Sequence, residues 1–511
     1  MAPAPNPRIL IVTHEVSALP DPTVSEMRMI AARAGGLGDV CANLVQQLGA
    51  AGADVHVAMP HYRNIFRREC VYLPDNIAYP RSDRQIHLVK DRAFYYPQQL
   101  LVDKSLENIK IALAFQREVM HQVLPAVRPD LIHCHDWMTG LIPPLARALG
   151  IPCLFTLYNL NTVQLPLVAI EERGIDAAAF WQHCYYANLP GSYEDTRNTN
   201  PADLLASGVY AAGLVNTVSH TFLAQIMDEA CDFIAPSLKR ELHHKHRDGC
   251  LTAIAQVPPP HFNPRTDSSL IRCYDAHSHA SGKAFNKLRL QELLSLRMDS
   301  RAPLFFWPTR LGGGRRGCWL MAAILPDLLA RYAHEGLQLV FIADGDLHAH
   351  FRKLVHQHAA DDRVTIWGFD AGRQRLAFAA ADFVLMPVQY EPCGMPCKIG
   401  HRYGALPVGH ATGGIKDSVS PLDVPNDRGN GFLFETFDAD GLNWAIDQAM
   451  TFYHQPDAVR SRQLHRIMAA AMEGEAHQEA AAAYIDLYEL LLPYSLDHLR
   501  RAVESPTRQV A

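Results

Sequence analysis

Two glycine-rich segments carry the clearest chemical signal in the sequence. The first contains Arg33, Gly35 and Gly36 and stands immediately before a helical pattern. Glycine lets the backbone approach a ligand closely, and the free N–H groups at the start of a helix attract an anion. Arg33 adds a positive charge whose fork geometry suits phosphate. The segment is predicted to cradle a phosphate, although an ordinary glycine turn explains the same residues equally well.

The second glycine-rich segment repeats this design in the last quarter of the chain. It contains Thr412, Gly413 and Gly414, followed by a polar helix start. Consecutive backbone N–H groups in such a loop bind phosphate oxygens. Here too, an ordinary turn is the alternative interpretation.

A carboxylate and another glycine follow a short apolar run at residues 383–386. The segment reads Tyr390-Glu-Pro-Cys-Gly-Met-Pro-Cys397, so that it presents Glu391, Cys393 and Gly394 where a strand gives way to a helix. Ligands of open α/β sheets bind at the carboxyl ends of the strands. Glu391 is therefore a candidate acceptor of hydrogen bonds from sugar hydroxyls. The alternative is a glutamate that only caps the helix.

Arginines follow the first apolar run of the second half of the chain. Arg310 and Arg316 flank the glycines of this segment, and Arg315 is an alternative to Arg316. Arginines beside a glycine-rich loop favour a diphosphate ligand. Exposure to solvent is the alternative.

Polar residues also end two runs in the first half of the chain. Asp136 follows one run, and Tyr158 and Asn159 follow the next. We expect Asp136 to point towards this pair, although a buried aspartate that caps a helix is the alternative. His133 and His135 form an H-x-H pair, but two ligands do not make a zinc site.

The elements that must position these residues are strands alternating with helices, twice over. Short and partly β-branched apolar runs predict buried strands at residues 9–13, 53–59, 131–134 and 153–157, and again at 304–307, 338–343, 364–367 and 383–386. Helical patterns lie between them, as at residues 42–51 and 139–150. This alternation predicts an α/β fold with two Rossmann-like domains, each with a parallel sheet.

Composition sets the domain boundaries and excludes several function classes. A proline-rich stretch predicts a linker at residues 256–279, between domains at 1–255 and 280–480, with a C-terminal helix and tail at 481–511. The 511 residues carry a net charge of −6, which argues against nucleic-acid binding. No apolar run is long enough for a membrane span and no secretory signal is visible, so we expect a cytoplasmic protein.

Taken in order, these segments resemble the bacterial glycogen synthases and plant starch synthases, glycosyltransferase family five. The resemblance runs from Ile9 to about Tyr453. The motifs that carry it are Arg33-Ala-Gly-Gly-Leu, His135-Asp-Trp, Thr217-Val-Ser, Arg310 with Arg316-Gly, Glu391-Pro-Cys-Gly, Arg402-Tyr-Gly and Thr412-Gly-Gly.

The resemblance implies two facing domains of the GT-B type, the first on the acceptor side and the second on the donor side, with the nucleotide sugar in the cleft between them. The implied reaction moves glucose from ADP-glucose to the non-reducing end of an α-1,4-glucan, with retention of configuration and without a metal. In such an enzyme Arg310 and Arg316 would neutralise the leaving diphosphate. Glu391 and Asp136 would hold the glucosyl group, and the remaining donor contacts would come from the residues Arg33, Gly35, Gly36, Tyr158, Asn159, Cys393, Gly394, Thr412, Gly413 and Gly414.

The sequence also departs from the family pattern. Tyr158 stands where the family has a histidine beside the glucose, and the lysines expected at positions 33 and 316 are arginines. Two other hypotheses therefore stay open. One is a catalytically weakened relative that binds glucan or nucleotide and regulates a partner. The other is a glucosyltransferase of the same fold that uses UDP-glucose or another acceptor.

Overall fold

The computed structural model of this protein divides into two compact units. The first comprises Met1–Pro259 together with Glu475–Ala511, and the second comprises Pro260–Gly474. Within them the structure describes residues 6–20, 29–32, 36–68, 70–71, 85–97, 100, 104–228, 231, 233–312, 316–473 and 476–504.

Strands and helices alternate along most of the first unit. Its strands are β1 (Arg8–Val12), β2 (Val16–Pro20), β3 (Met29–Ala32), β4 (Asp54–Pro60), β5 (Cys70–Val71), β6 (Ile86–Val89), β7 (Leu131–His135), β8 (Cys153–Leu157), β9 (Gln164–Leu165), β10 (Ala202–Asp203), β11 (Leu214–Thr217) and β12 (Leu251–Ala253). Its helices up to that point are α1 (Gly36–Ala50), α2 (Arg63–Arg68), α3 (Leu106–Glu118), α4 (Leu124–Val127), α5 (Ile142–Ala148), α6 (Leu167–Glu171), α7 (Tyr193–Thr199), α8 (Leu204–Ala211), α9 (His220–Met227) and α10 (Pro236–Arg247).

A seven-stranded sheet forms the core of this unit, in the order β12-β11-β8-β7-β1-β4-β6. Every strand pair in it is parallel. The side chains at residues 9–12 of β1 are fully buried, as expected for a strand covered on both faces. All these strands end at one edge, which we call the first carboxyl edge. Smaller antiparallel sheets, β2-β3-β5 and β9-β10, lie outside it.

The second unit repeats this plan. Its strands are β13 (Leu304–Trp307), β14 (Gln338–Ile342), β15 (Val364–Trp367), β16 (Phe383–Met386), β17 (Leu406–His410) and β18 (Phe432–Phe434). Its helices are α11 (His279–Leu293), α12 (Cys318–Arg331), α13 (His348–Gln357), α14 (Ala371–Ala380), α15 (Met395–Tyr403), α16 (Gly413–Ser418), α17 (Ala439–Tyr453) and α18 (Asp457–Met472).

The sheet of the second unit has six parallel strands in the order β15-β14-β13-β16-β17-β18. Its core is rich in aromatic side chains; for example, Trp307 packs edge-on against Phe341 and Phe351. The strands end at what we call the second carboxyl edge. The two parallel sheets with their helices confirm the predicted α/β fold class, and every strand run named above forms a strand.

The chain returns to the first unit at its C-terminus, through α19 (Ala476–Leu491) and α20 (Asp497–Glu504). Two tyrosines of α19 reach polar side chains inside the first sheet. The Tyr488 hydroxyl lies 2.8 Å from Nδ1 of His133, and Asn216 donates to the Tyr484 hydroxyl at 3.5 Å. Nε2 of His133 lies 2.7 Å from the Thr156 hydroxyl. These contacts join α19 to β7, β8 and β11.

The observed boundaries differ from the predicted linker and tail. From Pro260 onward the chain packs as part of the second unit, because Asp267 forms an ion pair with Arg375 at 3.0 Å and the Tyr274 hydroxyl donates to the Tyr403 carbonyl at 2.8 Å. At the other end, the first unit resumes at Glu475, whereas the second domain was predicted to run to residue 480. Among the described helices, none is long and apolar enough to cross a bilayer.

Candidate active site

Asp136 lies directly after β7 at the first carboxyl edge. Its φ of 64° places a non-glycine residue in a region that L-residues rarely adopt, and such strain concentrates at functional sites. Its Oδ1 accepts a hydrogen bond from the Trp137 N–H at 2.7 Å, so it also caps the short turn that follows. The Asn159 amide donates to its Oδ2. The structure thus brings Asp136 and Asn159 together.

Asp136 is almost completely buried, and this burial changes its charge. Burial raises the pKa of the carboxyl to about 8; the Trp137 N–H acts in the opposite direction, and the carboxylate of Glu15 raises the pKa further. Without a ligand, Asp136 is therefore largely protonated at pH 7. A protonated carboxyl both donates and accepts hydrogen bonds, which suits contact with a sugar hydroxyl.

Tyr158 follows β8 and contacts the same edge. Its hydroxyl lies 3.1 Å from Nδ1 of His135, the residue before Asp136. The Cys41 thiol, on the first turns of α1, lies within reach of the same hydroxyl and donates to Thr13 at 3.4 Å. The beginning of α1 therefore packs against the ends of β1 and β8.

Gly36 is the first residue of α1, so the helix begins six residues before the predicted helical pattern at 42–51. Arg33 and Gly35 lie outside the described residues, so their part in the site stays a prediction.

His14 and Glu15 are site residues that the sequence reasoning missed. Both follow β1 and are buried, and neither ring nitrogen of His14 has a hydrogen-bond partner in the described structure. The sequence pattern that could have identified them is a pair of polar residues shortly after a wholly apolar run, the same kind of position that Asp136 occupies.

At the second carboxyl edge, Glu391 folds back on the start of α15. Its Oε1 accepts hydrogen bonds from the N–H groups of Cys393 at 3.3 Å and Gly394 at 3.1 Å. These bonds fix the turn that precedes α15 and hold the carboxylate at the carboxyl end of β16, whereas the helix itself, which begins after Gly394, has no side-chain N-cap.

The Glu391 loop and the second glycine segment are in backbone contact. The Gly414 N–H donates to the Glu391 carbonyl at 2.8 Å. A Cβ on Gly414 would lie 2.1 Å from the Cys393 carbonyl carbon, and one on Gly394 would lie 2.6 Å from that of Gly414. Only glycine allows this approach. Thr412 and Gly413 begin α16 beside it, so the loops after β16 and β17 form one surface.

The arginine segment joins the same surface through Gly317. This residue has a φ of 74°, and a Cβ on it would lie 1.6 Å from the Pro387 carbonyl oxygen, at the end of β16. Arg316, immediately before it, is exposed, and Arg310 is half-buried. Arg315 lies outside the described residues.

Two aromatic residues at the second carboxyl edge were not predicted. Trp367 ends β15 and Phe369 follows it, and each side chain is 37% exposed. Arg373 lies over the Trp367 ring at 4.5 Å. The Phe369 N–H donates to Asp344 Oδ1 at 3.0 Å, which fixes the loop next to β14. The sequence pattern that could have identified them is two aromatic residues at the end of a predicted strand.

The structure thus groups the predicted residues into two sets, one at each carboxyl edge. Among the described residues, no group of three or more His, Cys, Asp or Glu side chains is arranged to hold a metal ion. His133 and His135 do lie side by side, with ring centroids 4.1 Å apart. Both ring nitrogens of His133, however, are engaged by Tyr488 and Thr156.

Comparison with known proteins identifies the family. Residues 8–240 match the family described as the starch synthase catalytic domain, and residues 321–463 match glycosyl transferases group 1. The glycogen synthase of Exiguobacterium sibiricum is 30% identical over 493 residues, which span 90% of this chain and 96% of that protein. This chain belongs to the glycogen synthase family. Glycogen synthase 2 of Geobacter sulfurreducens is also 30% identical, over 90% of this chain and 96% of its own length.

Membership of the glycogen synthase family makes the protein a glycosyltransferase, as the motifs predicted. Solved structures agree on the fold. The catalytic domain of starch synthase IV from Arabidopsis thaliana, solved with ADP and acarbose, has a TM-score of 0.73 at 22% identity and covers 98% of this chain and 100% of its own. Sucrose-phosphate synthase from Thermosynechococcus elongatus has a TM-score of 0.57 at 17% identity, covering 95% and 99%. The GT-B fold class is thereby confirmed.

Proposed function

We propose that this protein transfers glucose from ADP-glucose to the non-reducing end of an α-1,4-glucan, with retention of anomeric configuration. Membership of the glycogen synthase family supports the reaction class. The observation that carries the assignment of the site is the backbone contact between Gly394 and Gly414, which unites a carboxylate and a glycine loop in one surface. The arginine segment joins this surface through Gly317.

In this proposal the second carboxyl edge holds the nucleotide diphosphate. The loop of Thr412, Gly413 and Gly414 lies beside the phosphates, and the start of α15 adds the positive end of a helix dipole. Arg310 and Arg316 neutralise the charge that develops on the leaving diphosphate. Fixed charges of this kind stabilise a transition state more than a ground state, because the charge grows as the bond breaks.

Two carboxyl groups are assigned to the glucosyl group. Glu391 accepts hydrogen bonds from its hydroxyls, in a position fixed by the Cys393 and Gly394 N–H groups. Asp136, largely protonated before the donor binds, donates to a further hydroxyl and is oriented by Asn159.

The nucleobase has a matching surface in Trp367 and Phe369. Both side chains are partly exposed at the same edge as the diphosphate loops, although Arg373 covers one face of the Trp367 ring. Because every base has a flat face, stacking supports a nucleotide donor without selecting adenine. The choice of ADP-glucose follows from the family.

A donor screen tests the proposal. Purified protein is incubated with glycogen and radiolabelled ADP-glucose or UDP-glucose, and label in precipitated glucan is counted. We expect incorporation from ADP-glucose in preference to UDP-glucose. Arg310→Ala and Glu391→Gln should each lower the rate by roughly 100- to 1000-fold, as expected when a transition-state contact is removed.

Arg289→Ala is the matched control, because Arg289 lies on α11 and pairs only with the neighbouring Glu292 in the described structure. It should keep the parent rate. Faster transfer from UDP-glucose would overturn the donor assignment. ADP-glucose binding without transfer to any glucan primer would instead support the weakened regulatory relative, which the tyrosine at position 158 first suggested.

A further inference from the structure

Two buried histidines at the first carboxyl edge carry unpaired ring nitrogens. Within the described structure, both Nδ1 and Nε2 of His14 and Nε2 of His135 lack a hydrogen-bond partner. Both side chains are fully buried. A buried polar group without a hydrogen-bond partner destabilises the fold, so three such nitrogens at one edge point to a role in binding.

The sheet places these two histidines next to each other. β1 and β7 are adjacent and parallel, with Val12 opposite Cys134. His14 is the second residue after Val12, and His135 is the first after Cys134, so both lie where their strands end. The electrostatic effect of His14 on the pKa of His135 reflects the same proximity. Asp136 is the next residue along the chain.

The charge state of this pair limits what it can bind. Burial lowers the pKa of each imidazole to about 3, so both are neutral at physiological pH. Neutral imidazoles do not attract phosphate as a cation would. Each offers one hydrogen-bond donor and one acceptor, which is the complement of a hydroxyl group.

Tyr158 bears on this pair directly. Its hydroxyl is 3.1 Å from Nδ1 of His135 and so fixes the ring, leaving Nε2 as the unpaired nitrogen. The tyrosine that replaces the family histidine therefore acts through a neighbouring imidazole. Asn159, the next residue, holds Asp136 in the same way.

We propose that His14 and His135 together bind one hydroxyl of the transferred glucosyl group, beside Asp136, with Tyr158 as the residue that positions His135. This inference rests on the proposed function, because it assigns a sugar hydroxyl of the same donor. The unpaired nitrogens are closed to solvent in this structure, so donor binding must open the edge locally.

The test compares the affinities of ADP-glucose and ADP, measured by calorimetry on the full chain. His14→Phe keeps the ring size but removes both nitrogens. It should weaken ADP-glucose binding by about 10-fold and leave ADP binding unchanged, since ADP lacks the glucosyl hydroxyls. His14→Gln restores a donor and an acceptor and should recover part of the loss. His121→Phe, at an exposed histidine of the same unit, should change neither affinity.

Deoxyglucosyl donors identify the hydroxyl. ADP-sugars that lack the 2-, 3-, 4- or 6-hydroxyl are bound to the parent and to His14→Phe. The parent should bind one of these donors more weakly than it binds ADP-glucose. His14→Phe should bind that same donor and ADP-glucose equally well. Equal binding of ADP-glucose by parent and His14→Phe, or independent losses for all four donors, would overturn the inference.

The two proposals fail in different ways. If the parent binds ADP-glucose and His14→Phe binds it more weakly, but neither labels glucan, the proposed transfer reaction is wrong and the histidine proposal stands. If parent and His14→Phe bind ADP-glucose with the same affinity and label glucan at the same rate, the histidine proposal is wrong and the transferase proposal stands. Thermal unfolding checks the fold of His14→Phe, which should be at least as stable as the parent because buried unpaired nitrogens are removed.

Discussion

The Tyr158 hydroxyl lies 3.1 Å from Nδ1 of His135, so the residue that replaces a family histidine is itself bound to a histidine. This contact makes Tyr158 part of an organised site. It also leads to the first prediction.

Tyr158→Phe removes the hydroxyl and releases His135. The value of one hydrogen bond, about 0.5–1.5 kcal/mol, predicts a fall in kcat/KM for ADP-glucose of roughly 3- to 10-fold. Steady-state kinetics measure this, with Tyr210→Phe, at a half-exposed tyrosine of α8, as the unaffected control. Tyr158→His should also lower the rate, because its shorter ring does not reach His135. A large gain in rate would show that the native site is impaired.

Gly414→Ala should separate the two loops of the second carboxyl edge. The added Cβ would lie 2.1 Å from the Cys393 carbonyl carbon. Because this is a backbone atom, relieving the clash requires the loop itself to move. We expect at least a 10-fold loss of ADP affinity, measured by calorimetry. Gly372→Ala is the control, since its Cβ would lie 3.5 Å from its nearest neighbour. Unchanged ADP affinity in Gly414→Ala would show that the phosphates bind elsewhere.

Asp136→Asn should change how stability depends on pH. The Asp136 pKa is about 8 in the fold, and that of an unfolded aspartate is about 3.9. Between these values the folded state keeps a proton that the unfolded state has released, so the free energy of unfolding falls as pH rises, by about 1.4 kcal/mol per pH unit. The asparagine side chain does not titrate, so this fall in the free energy of unfolding is absent from the variant.

Thermal unfolding without donor measures the effect. From pH 5 to pH 7, the Tm of Asp136→Asn relative to the parent should rise by roughly 5–11 °C, because about 2.7 kcal/mol is gained at about 2–4 °C for each kcal/mol. A difference that stays constant over this range would mean that the buried carboxyl is already ionised.

Lys283→Met should destabilise the second unit. The buried ammonium of Lys283 donates to the carbonyls of Ala379 at 3.1 Å, Ala381 at 2.6 Å and Tyr403 at 3.0 Å. It thereby closes the ends of α14 and α15. The Tyr274 hydroxyl also donates to the carbonyls of Ala379 and Tyr403, so the loss falls mainly on the Ala381 carbonyl. It should cost about 1–3 kcal/mol, seen as a lower Tm. Lys353→Met, at an exposed position on α13, should leave the Tm unchanged.

The sequence predicted the strands well because their signal is local. β13 and β16 have the predicted bounds, since a buried parallel strand needs a short apolar run whatever surrounds it. The same logic placed Asp136 and Glu391, which follow such runs. Glycines with a steric role, such as Gly414, were also visible, although their contact partners were not.

What the sequence could not predict depends on contacts distant in the chain. His14 is one polar residue after a strand, and only the folded sheet shows that its nitrogens are buried and unpaired. The segment after Pro260 looked like a linker, but Asp267 and Tyr274 bind side chains and carbonyls more than a hundred residues away. The return of α19 to the first unit has no local signal.

That return has a consequence for synthesis. The ribosome makes the first sheet early, but the tyrosines that cover His133 and Asn216 belong to α19 and emerge only after the whole second unit. The nascent first unit must therefore wait, with polar groups of β7 and β11 uncovered, until α19 has been made. A truncation just before α19 would leave the first-made unit unfinished.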